Sequence, residues 1–519
     1  MSMHDHFLTL YVPCGTRITT AAQRMRNRLA CALSLAVLPA CSALAGEVET
    51  SWAQRLRDDA QHLHAVMRDN HPGAVDPENP RFAPALDDAL RTALVRAGDV
   101  RDAGGYWWAL RELQVSFDDG HVQLSVKQPL GLPLRWAGVL TRYRNGRHVV
   151  AVREEQDATL PPLGAALVSC DGTPAAALAA ERLGRFSGRW HLLSQQVDNA
   201  PRLLMDEGNP WAPLPQACIF EHAGVDYPVA MRWRSMNRDE LAMYWPRVQP
   251  ASMNGIGLRT LPGGITWISL GSFSGNADAE SYPKLTALLT EVEARQDAIR
   301  RGPIVLDVRG NGGGSSHWSQ RLAEAIWGED AAQRAAPRSD AVDWRVSAGN
   351  IAHIRAFRDQ LRAADADDAE RLAWANEVLS GMETAQRQGL ALWRQTDDAD
   401  AASTPAPAPA TNTPARHATA PRVYVLTDSA CASACLDAMD LWKALGIVQV
   451  GGETSADTTY MEIRGEPLPS GLVWVGVPTK VYRGRKRGAN EAYRPDIRYD
   501  GDLADTEALQ AWIAGLAGG

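Results

Sequence analysis

Three short stretches carry residue types that could do chemistry together. The first is Thr427-Asp-Ser-Ala-Cys-Ala-Ser-Ala434, in which Ser433 stands among small residues at the mouth of a helix. A serine there is accessible and lies near the positive end of the helix dipole. That suits chemistry that builds negative charge on oxygen. The second is Arg309-Gly-Asn-Gly-Gly-Gly314. Its glycines let the backbone approach a ligand and turn N–H groups outward, a nest for a phosphate or a developing oxyanion. It has neither the Lys-Ser/Thr of a phosphate loop nor the glycine spacing of a dinucleotide fingerprint. The third is Phe117-Asp-Asp-Gly-His121. Histidine is the usual base for activating a serine near neutral pH. Each has a bland alternative: a small residue that lets a helix pack, a tight glycine turn, and a turn histidine.

The elements that must position these residues are legible. Val423 to Leu426 is a buried strand, and Leu436, Met439, Leu441 and Leu445 mark the helix after Ser433. Ile304-Val-Leu-Asp-Val308 has nothing polar until Asp307, as expected of a strand covered on both faces. A helix with Trp318, Leu322 and Ile326 follows the glycine loop, and Ile265 to Leu270 is a further strand. Asp-Gly before His121 signals a turn between Val115 and Val122-Gln-Leu124. Further strands are expected at Ile447–Val450 and Leu472–Val477.

Around this core, 46–125 reads as helical, with stripes at Trp52, Leu56, His62, Leu63, Met67 and at Leu86, Leu90, Leu94. Residues 126–250 change to short apolar runs (Leu132–Leu140, His148–Val152, Ala166–Val168, Tyr227–Trp233) broken by Gly and Pro, which suggests a β-rich domain. Within 251–519 the pattern lapses over 331–420, an insertion with a helical part at 351–395 and an Ala/Pro/Thr linker at 398–421.

At 519 residues the protein exceeds one hydrophobic core. Its formal charge of −8 argues against a dedicated nucleic-acid binder. Met25-Arg-Asn-Arg28, the apolar run Leu29 to Leu38 and Ala43-Leu-Ala45 before Gly46 read as an export signal over 25–45 within the leading segment 1–45. Leu38-Pro-Ala-Cys41 is a rival signal, similar to a bacterial lipoprotein box, which would place a lipid on Cys41. Four of the seven cysteines follow Ala45: Cys170, Cys218, Cys431 and Cys435. In an oxidising compartment they could pair 170–218 and 431–435; buried free thiols are the alternative. Their spacing does not suit zinc.

In combination the motifs resemble the C-terminal-processing (tail-specific) peptidases and the related tricorn core and retinoid-binding repeats. The landmarks run in order: Asp118-Asp-Gly-His121, Gly264 to Phe273, Leu306 to Gly314, Thr427 to Ala434, Gly451-Gly-Glu-Thr454 and Tyr493-Arg-Pro-Asp496. The resemblance implies an α/β fold with a crotonase-like layered core, preceded by the helical region and a PDZ-like domain. Pro162 to Gly172 is similar to a PDZ strand running into an Asp-Gly turn; such domains bind the C-termini of polypeptides by strand addition. It implies Ser433 as nucleophile and His121 as general base. Gly312 or Gly313 and Ala434 would form the oxyanion hole. Glu491 is the nearest candidate for a supporting carboxylate. The Ser-Lys branch is disfavoured, because Glu453 to Tyr460 holds no lysine and Lys443, Lys480 and Lys486 are misplaced. The His-dependent, tricorn-like branch fits better, although Gly120 stands where that branch has a serine. The implied activity is hydrolysis of polypeptides near their C-termini by an exported, periplasmic serine peptidase. No metal, cofactor or nucleic acid is implied. The alternative is a non-catalytic binding protein on the same scaffold.

Overall fold

The computed structural model describes residues 50–249, 255–337, 339–363, 369–395 and 422–518. The expected export signal, Cys41 and the 398–421 linker lie outside the described residues.

Ser51 opens the first helix, α1 (Trp52–Asn70), by accepting from the Gln54 N–H. Helices α2 (Phe82–Arg96) and α3 (Ala103–Val115) follow, the latter capped by Asp102. Leu56, Leu63, Met67, Leu86 and Leu110 bury against one another, as their helical spacing requires. The backbone then turns through His121 into β1 (Gln123–Val126).

The next strands are β2 (Val139–Arg144), β3 (Arg147–Arg153), β4 (Ala166–Cys170), β5 (Ala217–His222) and β6 (Val225–Ala230). They pair in that order in one sheet. Asn145 and Gly146, both at positive φ, make the hairpin turn between β2 and β3. The apolar run at Leu132–Leu140 is interrupted at Gly138, whose φ is +78° and where a Cβ would lie 2.9 Å from Leu160. Cys170 and Cys218 face each other across β4 and β5 and form a disulfide.

The core sheet begins with β7 (Ile256–Leu261) and β8 (Ile265–Leu270), continues after helix α4 (Ser281–Ile299) with β9 (Ile304–Asp307), and gives helix α5 (His317–Trp327). The described part of the insertion contributes β10 (Ala341–Arg345), α6 (Ala348–Ala363), α7 (Ala369–Arg387) and β11 (Leu392–Gln395). Then come β12 (Val423–Thr427), helix α8 (Ala434–Ala444), β13 (Val448–Gly451), β14 (Tyr460–Pro467), β15 (Val473–Arg483), β16 (Ile497–Arg498) and α9 (Thr506–Gly518). The core order is β7-β8-β9-β12-β13-β16, parallel from β8 onward. Ile304, Leu306, Val423 and Val425 face α4, α5 and α8; Val305, Tyr424 and Leu426 face α9. Strands apolar on both faces are what this layering demands.

A second sheet joins distant segments. β15 pairs with β1, β14 and β10, and β10 pairs with β11. The segment read as helical at 351–395 therefore ends in a strand, and β10 precedes it. Asp343, Arg345 and Arg394 obscure the strand pattern of these two elements. Asp343 is nonetheless buried, because Arg394 and Arg483 both donate to it. Arg483 also donates to Asp76, so one buried guanidinium ties the N-terminal helices, the insertion and β15 together. Arg483→Met leaves buried carboxylates facing a thioether and is expected to cost about 3–5 kcal/mol, read as a lowered urea midpoint.

Candidate active site

Ser433 caps α8 with φ +53° and ψ −123°, a conformation that non-glycine residues adopt only under constraint. Its surroundings supply the constraint. The disulfide Cys431–Cys435 brackets it. The Ala432 N–H donates to Asn311 O and the Ser455 N–H to Cys431 O. Among the described residues, the Ser433 hydroxyl has no hydrogen-bond partner, nor has the Ala434 N–H.

The loop after β9 is built around this turn. Arg309, fully buried, pairs with Asp307 and reaches Leu503 O and Thr506 at the start of α9. Asn311 donates to Leu270 O and accepts from the Gly313 N–H at 2.9 Å. Gly313, at φ +99°, lies so close to the serine turn that a Cβ would sit 2.6 Å from Ala432 O and 2.8 Å from Ser433 Cβ. Gly312 faces open space, and its N–H has no partner among the described residues. Of the two glycine amides expected as candidates, Gly313's is thus held by Asn311, whereas Gly312 and Ala434 keep theirs.

Asp428 clasps the two loops, accepting from the Gly310 and Ala430 amides. Burial pushes its pKa up to about 6; those amides pull it down, Asp307 raises it and Arg309 lowers it. Asp198, on the β-rich domain's helix Leu193–Asn199, approaches Ser429 at 3.5 Å. Burial, then the Asp428 carboxylate, push Asp198 up to about 7.

His121 is buried at the end of its turn, one residue past Gly120. The following strand pairs Gln123 with Gly476 of β15, which fixes the turn's height. Asp119 accepts the His121 backbone N–H at 2.8 Å, the Thr458 hydroxyl at 3.0 Å and His71 Nε2 at 3.0 Å. The His121 Nδ1 atom is buried without a partner, 3.8 Å from Asp119 Oδ1. A serine at Gly120 would displace the Arg189 guanidinium, since a Cβ there would lie 2.5 Å from Arg189 Nη2. Arg189, from the β-rich domain, donates to Ala456 O and fills the place of the expected serine.

The histidine and serine turns meet through one short segment. Ser455 is bonded to the serine turn and Thr458 to Asp119. Three residues span at most about 11 Å, so the two turns lie close to one another. Arg487, buried, fastens this segment to α8 through Asp457, Asp437 and Asp440.

Glu491 is exposed, and its carboxylate accepts the Gly488 N–H at 2.7 Å, not a His121 nitrogen. Its loop does reach the histidine turn, since Asn490 donates to Asp118 O. The neighbouring guanidinium groups of Arg485 and Arg487 hold Asp457 and Asp440 instead of Glu491. Lys443 lies beside Asp496 and Lys480 beside Glu462. Sequence reasoning missed Asp119, His71, Thr458 and Arg189. Asp119 stands within the Asp-Asp-Gly-His turn, whereas nothing local marks the others. Among the described residues no cluster could hold a metal.

No protein-family model and no curated protein matches this sequence. Solved structures do. Mature CPAF matches with a TM-score of 0.57 at 13% identity, over 88% of this protein and 96% of that one. Mature CPAF complexed with lactacystin gives 0.56 at 13%, over 90% and 99%. A CPAF mutant gives 0.55 at 11%, over 86% and 93%. At such identities the likeness establishes the fold: a layered α/β core, N-terminal helices and a β-rich domain, shared over nearly the whole length.

Two outcomes follow from this geometry. Gly313→Ala is expected to cost about 1–3 kcal/mol or more by overpacking, while Gly312→Ala stays near neutral; chemical denaturation separates them. Asp198 has a raised pKa in the folded state, so the stability it contributes is full below about pH 4 and is lost as pH rises through about 7. Asp198→Asn removes that loss and is expected to raise Tm at pH 8 by about 2–4 °C, with little change at pH 4.

Proposed function

We propose that this protein is an exported serine peptidase that cleaves polypeptides through an acyl-enzyme on Ser433. The observation that carries the reading is the close seat of Gly313 against the Ser433 turn. It holds two unpartnered amides, Gly312 and Ala434, beside a strained, unpartnered hydroxyl. A binding scaffold has no need of that combination. The fold shared with CPAF, and the peptidase resemblance of the motifs, agree with it.

In this reading Ser433 Oγ attacks the substrate carbonyl carbon as His121 takes its proton. The oxyanion is received by the Ala434 and Gly312 N–H groups. The C–N bond breaks, His121 returns the proton to the leaving amine, and water deprotonated by His121 then releases the acyl group. Gly313 shapes the hole rather than donating to it. Glu491 enters as a residue of the loop that Asn490 ties to the histidine turn. The β-rich domain would present a substrate's C-terminus by strand addition, which gives the preference for polypeptide ends. Export to the periplasm through 25–45, with a lipid on Cys41 as the variant form, is supported by the leading sequence and by two disulfides in the folded part.

Ser433→Ala is expected to lower peptide turnover by roughly 10³-fold or more and to abolish fluorophosphonate labelling, with His121→Ala similarly inactive and Lys443→Ala unaffected. Equal hydrolysis by wild type and Ser433→Ala overturns the proposal.

A further inference from the structure

His71 belongs to none of the motifs used above. It follows α1 and is fully buried. The Gly73 N–H donates to its Nδ1 at 2.9 Å, which leaves Nε2 as the donor to Asp119 Oδ2 at 3.0 Å. The ring is stacked on Phe82 with centroids 4.5 Å apart and meets the edge of Tyr460. It cannot turn without losing both bonds and the stack. Asp119 thereby holds one oxygen on His71, and the other on the His121 backbone N–H and the Thr458 hydroxyl. Three donors, two of them from distant segments, fix one carboxylate.

The side chain of His121 is the group left over. Its Nδ1 is buried and unpartnered, and Asp119 supplies the one carboxylate within 4 Å of it among the described residues. Closing 3.8 Å to a hydrogen bond needs a shift of less than about 1 Å, the kind of tightening that substrate binding brings to a catalytic pair. We infer that Asp119 is the carboxylate that orients His121 during turnover, and that His71 is a positioning residue that holds Asp119 to this task. This rests on the serine peptidase reading and deepens it. It assigns the orienting role to the turn itself rather than to Glu491.

The charges facing Asp119 set the sign of its response to pH. Burial raises its pKa; the hydrogen bonds donated by His71 and by the His121 backbone N–H outweigh burial and hold it below the ordinary carboxylate range. Arg189 also faces it, itself surrounded by Asp457, Asp118 and Asp198, as does the Tyr460 hydroxyl, which rests on Asp76. Removing the His71 donor therefore lets Asp119 protonate at higher pH.

The test measures kcat, KM and the pH profile for His71→Leu, which deletes the donor, and His71→Gln, which restores an N–H in its place. His71→Leu is expected to lower kcat about 10–100-fold, part of what base catalysis contributes, with KM within about twofold and the acid limb of kcat/KM moved to higher pH. His71→Gln is expected to recover the limb and most of kcat. Thr458→Val, which removes another donor, is expected to move the limb the same way, and it serves as the readout if His71→Leu does not fold. Wild-type kcat and limb in His71→Leu overturn the inference; so does an equal kcat loss in the Leu and Gln variants with an unmoved limb. Ser433→Ala in the same assay separates the failures. If it is dead while His71→Leu is unaffected, this inference alone falls; if it is active, both fall.

Discussion

The contact on which the rest depends is backbone against backbone. Gly313 presses on the Ser433 turn at a distance that leaves no room for a methyl group. Ser433 is held at positive φ, which costs about 1–3 kcal/mol and must be offset by what surrounds it. The disulfide closes the turn from both sides, and Asp428 clasps the two loops. Asn311 occupies both ends of its amide and its own carbonyl to keep the glycine loop against the serine. The glycines of the loop are not equivalent. Gly314 passes so near Phe273 O that a Cβ would lie 2.1 Å from it, while Gly312 is left facing open space.

Around this contact lie several buried ion pairs. Arg309 with Asp307, Arg487 with three aspartates, and Arg483 with two all lie near or within the interior. Such pairs add little net stability, since desolvation cancels much of the attraction. Their geometry is what matters. Each joins segments that no sheet ladder connects: the glycine loop to the last helix, the Ser455–Thr458 segment to α8, the N-terminal helices to β15. Losing one partner would leave a bare charge inside, so the loops cannot drift singly.

The core is legible because its signals are local. Strands apolar on both faces, a glycine triplet after one of them and small residues opening a helix identify themselves within a few residues. Spacing alone does not decide how the four cysteines pair; the fold closes both bridges. What cannot be read depends on distance along the sequence. β10 and β11 look polar in sequence, yet Asp343 of β10 is neutralised by Arg394 of the neighbouring β11 and by Arg483 of distant β15. Gly120 reads as a missing hydroxyl, yet Arg189 fills that place from another domain. Glu491 matches a landmark in order, yet its carboxylate closes its own turn. His71 and Asp119 are 48 residues apart and carry no shared pattern.

The pocket of Asp119 also has a history in time. Thr458, which completes it, lies 339 residues further along the sequence. At a synthesis rate of roughly 5–20 residues per second, the first donors wait on the order of 20–70 s for the last. The N-terminal helices and β1 must pass that interval with one face uncovered, because β14 and β15 have not yet been made. The histidine turn is therefore set late, when the closing strands dock, and the order of synthesis acts as a clock on when the site first exists.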